Sequence, residues 1–241
     1  MRWWLPFTFM RSLIAAFLFL FWTVLMSILA IFCSFTPAMR EILDGVIVHW
    51  ANGVLWLFNV HVTEKGREHL LKGQCLYIFT HTSFFDIFTM SAKLRGMRFG
   101  AKIELFRIPF FGRAMRMAGV LPITRNNREK VFRVYERATE RATQGQQFAL
   151  APEGKRNTEE VLLPFKSGPF IFAIGAQMPM VPVIIRGACA VLPKNGILPN
   201  WRQWKAEISL QYLPAISVEG ETRETRQVLQ QRAYEIMKKY Y

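Results

Sequence analysis

The residues of this sequence most suited to chemistry are His81 and Asp86, which follow the short apolar run at residues 76–79. A run of that length and aromatic content predicts a buried strand. His81 then lies where a strand ends and a helix begins, which is where an α/β sheet exposes reactive side chains. Asp86 falls in the first helical turn, where its carboxylate can bond the imidazole and fix its tautomer. The pair predicts a general base oriented by a carboxylate.

The same residues admit a purely structural interpretation. Thr82 or Ser83 is a natural cap for a helix that continues to about residue 94. Ser83 and Asp86 also have the spacing of a capping box. On this interpretation His81 is an ordinary loop histidine, and the hexapeptide alone leaves both interpretations open.

Polar and basic residues also follow, or lie within, the other apolar runs that predict strands. If these strands are parallel, their carboxyl ends meet at the same edge of the sheet as His81. A His–Asp pair surrounded by cations is suited to deprotonating a hydroxyl group on a substrate that carries a phosphate. Each cluster alone is weak evidence for a substrate site, because Pro-Glu-Gly also fits a plain turn and an arginine at the end of a strand is usually solvated. The residues are Lys102, Glu104, Thr124, Arg125, Glu153, Gly154, Lys155, Arg156 and, inside a run, Pro182.

The elements that must position these side chains alternate along the chain. Strand-like and helical patterns in alternation predict an α/β fold, with a mostly parallel or mixed sheet of about seven strands flanked by helices. The predicted strands lie near residues 59–63, 75–80, 97–102, 120–124, 147–151, 180–186 and 206–213. The predicted helices lie at 84–94, 106–117, 127–144, 168–177 and 222–239.

A hydrophobic two-helix membrane anchor is expected before this fold. Residues 12–39 contain no charged side chain, and about 20 apolar residues suffice to span a bilayer, more than the apolar part of a secretory signal. The segment 41–58 is more polar and predicts an interfacial helix with Trp50 and Trp56 at headgroup level. The alternative is a surface helix of the α/β domain. We therefore expect an anchor over 1–58 and an α/β domain over 59–241.

Net charge and cysteine content limit the binding partners and the cellular compartment that the sequence allows. The net charge is +14, and residues 93–141 alone carry +9. An anionic membrane surface or a phosphorylated substrate explains this charge, whereas nucleic acid is disfavoured beside a membrane anchor and without a nucleic-acid-binding motif. Cys33, Cys75 and Cys189 are scattered without metal-type spacing, which favours a reducing compartment and argues against structural zinc.

In order and spacing these segments resemble the four sequence blocks of the glycerolipid acyltransferases, the family of 1-acyl-sn-glycerol-3-phosphate acyltransferase. His81 and Asp86 match the His-x4-Asp block, and the resemblance covers roughly residues 59–212. Three departures are Thr124, where an aspartate often stands, Ala151, which alters the spacing before Pro-Glu-Gly, and Lys155 in place of a threonine. The other matching segments are 119–125, 148–156 and 180–185.

The resemblance implies an acyl transfer to the free hydroxyl of a lysophospholipid, in the first instance 1-acyl-sn-glycerol-3-phosphate giving phosphatidic acid. His81 would be the general base and Asp86 its orienting partner. Arg125 and Arg156 would hold the substrate phosphate, and Glu153 would anchor the glycerol or a neighbouring basic residue. The donor would be acyl-coenzyme A or acyl-carrier protein, with no metal or other cofactor. The remaining residues of the expected substrate site are Lys102, Gly154, Lys155 and Pro182.

Two alternatives stay open at this point. One is acylation of another lyso-lipid, such as a lyso-ornithine lipid or lysophosphatidylglycerol, and the other is a non-catalytic membrane lipid-binding protein.

Arg2 and Arg11 precede the apolar segment, which predicts a cytoplasmic amino terminus. Because acyl donors are cytosolic, we expect a hairpin-like or monotopic anchor in the inner membrane with the α/β domain on its cytoplasmic face.

Overall fold

A computed structural model of the protein describes residues 4–124, 127–159 and 161–241. Within these residues seven strands form one sheet: β1 (Val60–Lys65), β2 (Leu76–Phe79), β3 (Arg98–Lys102), β4 (Leu121–Ile123), β5 (Phe148–Leu150), β6 (Met180–Arg186) and β7 (Ala206–Tyr212). Their order across the sheet is β1-β7-β6-β2-β5-β3-β4. All neighbouring pairs are parallel except β6 and β7. This is the mixed, mostly parallel sheet that the sequence predicts.

Helices cover both faces of the sheet. Each α/β sheet face needs such a cover because strands buried on both sides, such as β2, expose no polar face to water. The helices are α1 (Leu5–Cys33), α2 (Arg40–Leu57), α3 (Phe85–Lys93), α4 (Phe111–Ala118), α5 (Arg128–Thr143), α6 (Gly168–Gly175), α7 (Ala188–Val191) and α8 (Arg226–Lys238). Helices α1, α2, α3 and α7 contribute to the hydrophobic core on one face of the sheet, and α5, α6 and α8 contribute to the core on the other face.

Each predicted strand coincides with an observed one to within two residues at either end. The helices differ more. The helix expected from residue 106 begins at Phe111, because Ile103–Arg107 forms a 3₁₀ turn. The last helix begins at Arg226 rather than 222, and the single-turn helix α7 has no counterpart among the predictions.

The long apolar helix α1 is the one helix among the described residues that is long and apolar enough to cross a membrane. It begins earlier than predicted, with a proline in its first turn, and ends at Cys33 rather than near residue 39. Large apolar side chains such as Phe17 and Phe21 are 73% and 66% exposed on its outer face. Such a surface is typical of contact with lipid, so α1 marks the chain as membrane-associated.

The inner face of α1 contacts the rest of the protein along its whole length. Near its start Phe9 lies edge-to-face against Trp201, at 6.2 Å between ring centroids. In its middle Phe19 packs on Phe88 at 6.0 Å. Near its end Cys33 belongs to an apolar cluster with residues of α2 and α4. At about 1.5 Å per residue this helix is about 43 Å long, and it lies along the α/β domain rather than projecting from it.

Helix α2 is integrated into the core rather than lying on its surface. Val54 and Phe58 are buried together with side chains of the sheet. Trp50 packs edge-to-face on Phe88 at 5.1 Å, and its indole N–H donates to Thr23 Oγ1 at 3.2 Å. Of the two tryptophans expected at headgroup level, only Trp56 is well exposed, at 80%.

Candidate active site

The carboxyl ends of the five parallel strands β2 to β6 meet at one edge of the sheet, as the sequence predicts. His81 follows β2, Lys102 ends β3 and Pro152 follows β5. Such an edge is the usual ligand-binding edge of an open α/β sheet, because loops rather than backbone ladders occupy it. The site is therefore built from loops that a rigid sheet holds in place.

The backbone of His81 is held from two sides. On one side Thr80 Oγ1 accepts a hydrogen bond from the Ile185 amide of β6 at 2.8 Å. On the other side the Asn157 amide, from the loop after β5, donates to the His81 carbonyl oxygen at 2.6 Å. Since β2 lies between β5 and β6, both neighbouring strands fix the position of this histidine.

The imidazole of His81 is paired with Asp86. His81 Nδ1 lies 2.9 Å from Asp86 Oδ2, and the Asp86 side chain is fully buried whereas 15% of the His81 side chain is exposed. Oδ2 also accepts the amides of Thr82 at 2.7 Å and Ser83 at 2.8 Å. The carboxylate is thus rigidly oriented, and its acceptor role assigns the proton to Nδ1. Nε2, which has no partner within the described residues, is left with a lone pair.

The contacts of Asp86 fit both interpretations of the hexapeptide, because Asp86 Oδ2 accepts the Ser83 amide and lies within hydrogen-bond distance of the imidazole. The cap itself differs from the expectation. Phe84 is the residue that precedes the first helical turn, and its side chain makes no capping bond. Ser83 Oγ accepts the Phe85 amide at 3.2 Å and donates to the Leu192 carbonyl oxygen at 2.7 Å. A buried hydroxyl engaged in this way ties the His81–Asp86 segment to the end of α7 and is not placed as a nucleophile.

Glu153 lies beneath this loop and is 2% exposed. Its Oε2 accepts the Leu163 amide at 3.1 Å, and Oε1 accepts the His81 amide at 3.5 Å. Burial raises the pKa of the Glu153 carboxyl, and the hydrogen bonds from these amides act in the opposite direction. The geometry therefore gives Glu153 a positioning role, while its expected contact with the glycerol remains a prediction.

Sequence reasoning missed two residues of this site, Asn157 and Tyr241. The Asn157 side chain is 1% exposed, and its Nδ2 donates to the Val161 carbonyl oxygen at 2.8 Å and to Tyr241 Oη at 3.1 Å. Tyr241 Oη lies 3.3 Å from the carbonyl oxygen of Glu159. Burial, followed by the nearby negative groups, raises the pKa of Tyr241 to about 12, so the phenol stays protonated and able to donate. Asn157 lies one position beyond Arg156, but only its buried contacts reveal its role.

The other expected substrate-binding residues have different surroundings. Arg156 lies with its guanidinium 4.6 Å from the ring centre of Phe84, next to the catalytic loop. Gly154 has a left-handed φ of +72°, which a side chain would strain, and Lys155 beside it is exposed. These three residues share the loop that fastens His81, so they lie on its side of the sheet edge.

Two predicted residues, Lys102 and Pro182, are not brought to His81 by the described structure. Lys102 is about half exposed and pairs with Glu104 at 3.5 Å. Pro182 is buried inside β6, in register with Ile78, and so lies within the sheet rather than at its edge. Arg125 lies outside the described residues.

Comparison with known proteins identifies the class of protein that combines this fold and this site. Residues 59–186 match the family model for acyltransferases, a span that contains the His81–Asp86 pair and all five parallel strands. Within the described residues, no group of three or more His, Cys, Asp or Glu side chains could hold a metal ion. The chain belongs to the acyltransferase family.

Several curated relatives share the same name. The 1-acyl-sn-glycerol-3-phosphate acyltransferase of Escherichia coli is 31% identical over 205 residues, covering 81% of this chain and 80% of its own. The enzyme of that name from Haemophilus influenzae is 27% identical and covers 95% of both chains. A chloroplast enzyme of Brassica napus is 34% identical over 56% of this chain, which spans 40% of that longer protein.

A solved structure has the same fold. The crystal structure of the 1-acyl-sn-glycerophosphate acyltransferase from Thermotoga maritima superimposes with a TM-score of 0.79 at 22% identity. The match covers 95% of this chain and 92% of the other. The likeness therefore includes the two amino-terminal helices as well as the sheet.

Proposed function

We propose that the protein acylates the free hydroxyl of 1-acyl-sn-glycerol-3-phosphate to give phosphatidic acid. The observation that carries this proposal is the His81 Nδ1 to Asp86 Oδ2 contact of 2.9 Å at the ligand-binding edge of the sheet. It is supported by the acyltransferase family match and by relatives from bacteria and plants with this activity in their names. The acyl donor is acyl-coenzyme A or acyl-carrier protein.

The reaction needs one base and one leaving group. His81 Nε2 takes the proton of the acceptor hydroxyl as its oxygen attacks the carbonyl carbon of the thioester. The carbon–sulfur bond then breaks, and the imidazolium returns the proton to the departing thiolate. Asp86 stabilises the imidazolium and holds the ring in the reactive tautomer, and a base placed in this way contributes about 10² to 10⁴ in rate.

The phosphate of the acceptor is held by Arg125 and Arg156. Charge-assisted bonds from arginine contribute roughly 1.5–3 kcal/mol each. Arg125→Ala and Arg156→Ala should therefore raise the KM for the lyso-lipid more than the KM for the acyl donor. Arg223→Ala, at an exposed arginine before α8, is the matched control. A selective rise in the KM for coenzyme A thioesters would reassign both arginines to the donor.

Acceptor choice is tested directly with a panel of lyso-lipids. Purified protein is supplied with labelled acyl-coenzyme A or acyl-carrier protein, and His81→Ala provides the blank. The expected result is preferential labelling of phosphatidic acid. Preferential acylation of lyso-ornithine lipid or lysophosphatidylglycerol would replace the acceptor, and vesicle binding without acylation of any acceptor would favour a lipid-binding protein.

The contacts of α1 support a proposal for the membrane arrangement. The α/β domain packs along the inner face of α1, so lipid cannot surround this helix as it surrounds a spanning helix, and we infer that α1 lies in the bilayer surface with its outer apolar face in lipid. Helix α4 packs on the carboxyl-terminal half of α1, and in the turn before α4 Ile108 and Phe110 are 46% and 53% exposed near Arg107. We place this surface, and the domain, on the cytoplasmic face of the inner membrane.

Sidedness is tested with a cysteine reporter. Val228 on α8 is 66% exposed, so Val228→Cys offers an accessible thiol on the α/β domain. An impermeant reagent applied to intact cells should leave it unmodified and should label it after lysis. Labelling from outside would place the domain on the opposite face of the membrane.

A further inference from the structure

The segment between α7 and β7 is an exposed loop with an unusual composition, which we call the 193–205 loop. It contains three basic residues, two tryptophans and no acidic residue. Ile197 at its tip is 96% exposed and Trp204 is 59% exposed. Aromatic and basic residues around an exposed aliphatic tip are typical of segments that enter the membrane–water interface. Lys194, Arg202 and Lys205 supply the charge.

The 193–205 loop is continuous with the apolar surface of α1. The guanidinium of Arg11 lies 5.2 Å from the ring centre of Trp204 and donates to the Asn200 carbonyl oxygen at 2.7 Å. Ser12 Oγ donates to the same oxygen at 3.3 Å. On the same stretch of α1, Phe7 and Ile14 are 64% and 57% exposed. The two terminal nitrogens of the Arg11 guanidinium thus donate to carbonyl oxygens of the loop, and the apolar surface extends from α1 onto the loop.

The other side of the loop is tied to the active site. Asn200 is 2% exposed, and its amide donates to the Val191 carbonyl oxygen at 2.7 Å. The next residue, Leu192, accepts the hydroxyl of Ser83 from the catalytic loop. A short chain of buried contacts therefore joins the loop to the segment that holds His81 and Asp86.

We propose that the 193–205 loop is a second membrane contact, which enters the headgroup region of an anionic bilayer at the amino end of α1. The loop contacts α1 near its amino end, and α4, with the exposed turn before it, packs on the carboxyl-terminal half. Membrane contacts on both halves would hold α1 parallel to the bilayer surface. Because the loop is joined to the catalytic segment, the same contact holds the edge of the sheet with His81 towards the lipid.

Fluorescence of a labelled cysteine at the loop tip tests the proposal without any acyl transfer. A polarity-sensitive fluorophore is attached to Ile197→Cys in a Cys189→Ser background, since Cys33 and Cys75 are buried. On vesicles of phosphatidylcholine and phosphatidylglycerol, we expect its emission to shift to the blue and to be quenched by nitroxide lipids. Labels at Phe17→Cys and Val228→Cys serve as the membrane-inserted and aqueous controls.

The outcomes are distinct. A label at position 197 that keeps its aqueous emission while the label at position 17 enters the membrane overturns the proposal. A label that enters neutral vesicles as readily as anionic ones overturns the part played by Lys194, Arg202 and Lys205. This readout is independent of the proposed acyltransferase reaction, so the two proposals fail separately.

A kinetic experiment tests whether the membrane contact of the 193–205 loop affects acyl transfer at the active site. Ile197→Glu should lower the turnover of lyso-lipid presented in anionic vesicles by about tenfold, since burying one large aliphatic side chain has an effect of that order. Turnover of a short-chain, monomeric lyso-lipid should be unchanged. Val228→Glu, an equally drastic change on the exposed face of α8, should affect neither. Equal losses on both substrates would show that the loop acts on folding rather than on the membrane.

Discussion

At the scale of the residue, the proposed reaction depends on Nε2 of His81, the ring nitrogen that Asp86 does not contact. His81→Ala removes the base and should lower turnover by about 10² to 10⁴, while circular dichroism and vesicle binding stay unchanged. Asp86→Asn should lower kcat with little change in the KM for either substrate, because Asp86 orients the imidazole and the loop that holds it and contacts neither substrate in the proposed reaction. Steady-state kinetics of purified variants measures both effects.

The control for this prediction is His61→Ala, at an exposed histidine of β1. It should keep full activity. Near-normal turnover by His81→Ala would remove the catalytic role of the pair and leave only its capping role.

A second prediction at this scale concerns Glu153 and pH. Burial raises the pKa of its carboxyl in the folded protein, so the protonated form is relatively favoured there. The stabilisation is present below the pKa of an unfolded glutamate, about 4.3, and is lost as the pH rises through the folded pKa. The unfolding free energy of the wild type should therefore fall relative to that of Glu153→Gln over this interval. Denaturation at a series of pH values measures the difference between the two unfolding free energies. A difference that stays constant, or that grows in favour of the wild type as the pH rises, would contradict the prediction.

At the scale of the element, one buried ion pair joins α2 to the sheet. The guanidinium of Arg98, which is 3% exposed, contacts Asp44, and this contact explains why α2 carries an acidic residue on the side that faces the sheet. Removing one partner leaves a buried charge, so Asp44→Ala should destabilise the protein by roughly 3–5 kcal/mol. Thermal unfolding in detergent measures the loss.

Two further variants separate the charge from its packing. The double variant Asp44→Leu/Arg98→Met should recover much of the stability, because no unpaired charge remains. Lys205→Ala breaks an exposed pair with Glu207 and should leave the stability almost unchanged, because water screens such a pair. If Asp44→Ala were as mild as Lys205→Ala, the pair would not hold α2 to the sheet.

At the scale of the whole molecule, charge and apolar surface should act together at the membrane. With a net charge of +14, activity on lyso-lipid in anionic vesicles should fall as salt rises from about 0.05 to 0.5 M, since screening shortens the reach of surface charge. Activity in neutral phosphatidylcholine vesicles should change little. Parallel assays in both vesicles check this, and equal salt dependence would locate the effect in substrate binding instead of the membrane.

Features that depend on neighbours along the chain could be predicted from the amino-acid sequence. The seven strands follow from short apolar runs, and the His81–Asp86 pair from a strand end followed within one turn by an acid. The apolar character of α1 is likewise a local property. Each of these features is set by spacing and periodicity, which a linear pattern contains.

The residues that surround His81 and Asp86, and the orientation of α1 against the α/β domain, are known only from the tertiary structure. The order of the sheet brings the loop after β5 beside β2, so Asn157 and Glu153 hold His81. Tyr241 reaches the same loop from the far end of the chain, and α1 lies along the domain because its small inner residues and Arg11 find partners far from them in sequence. Such contacts are long-range, and their energy comes from burial and hydrogen-bond satisfaction in three dimensions, which no periodicity along the chain records.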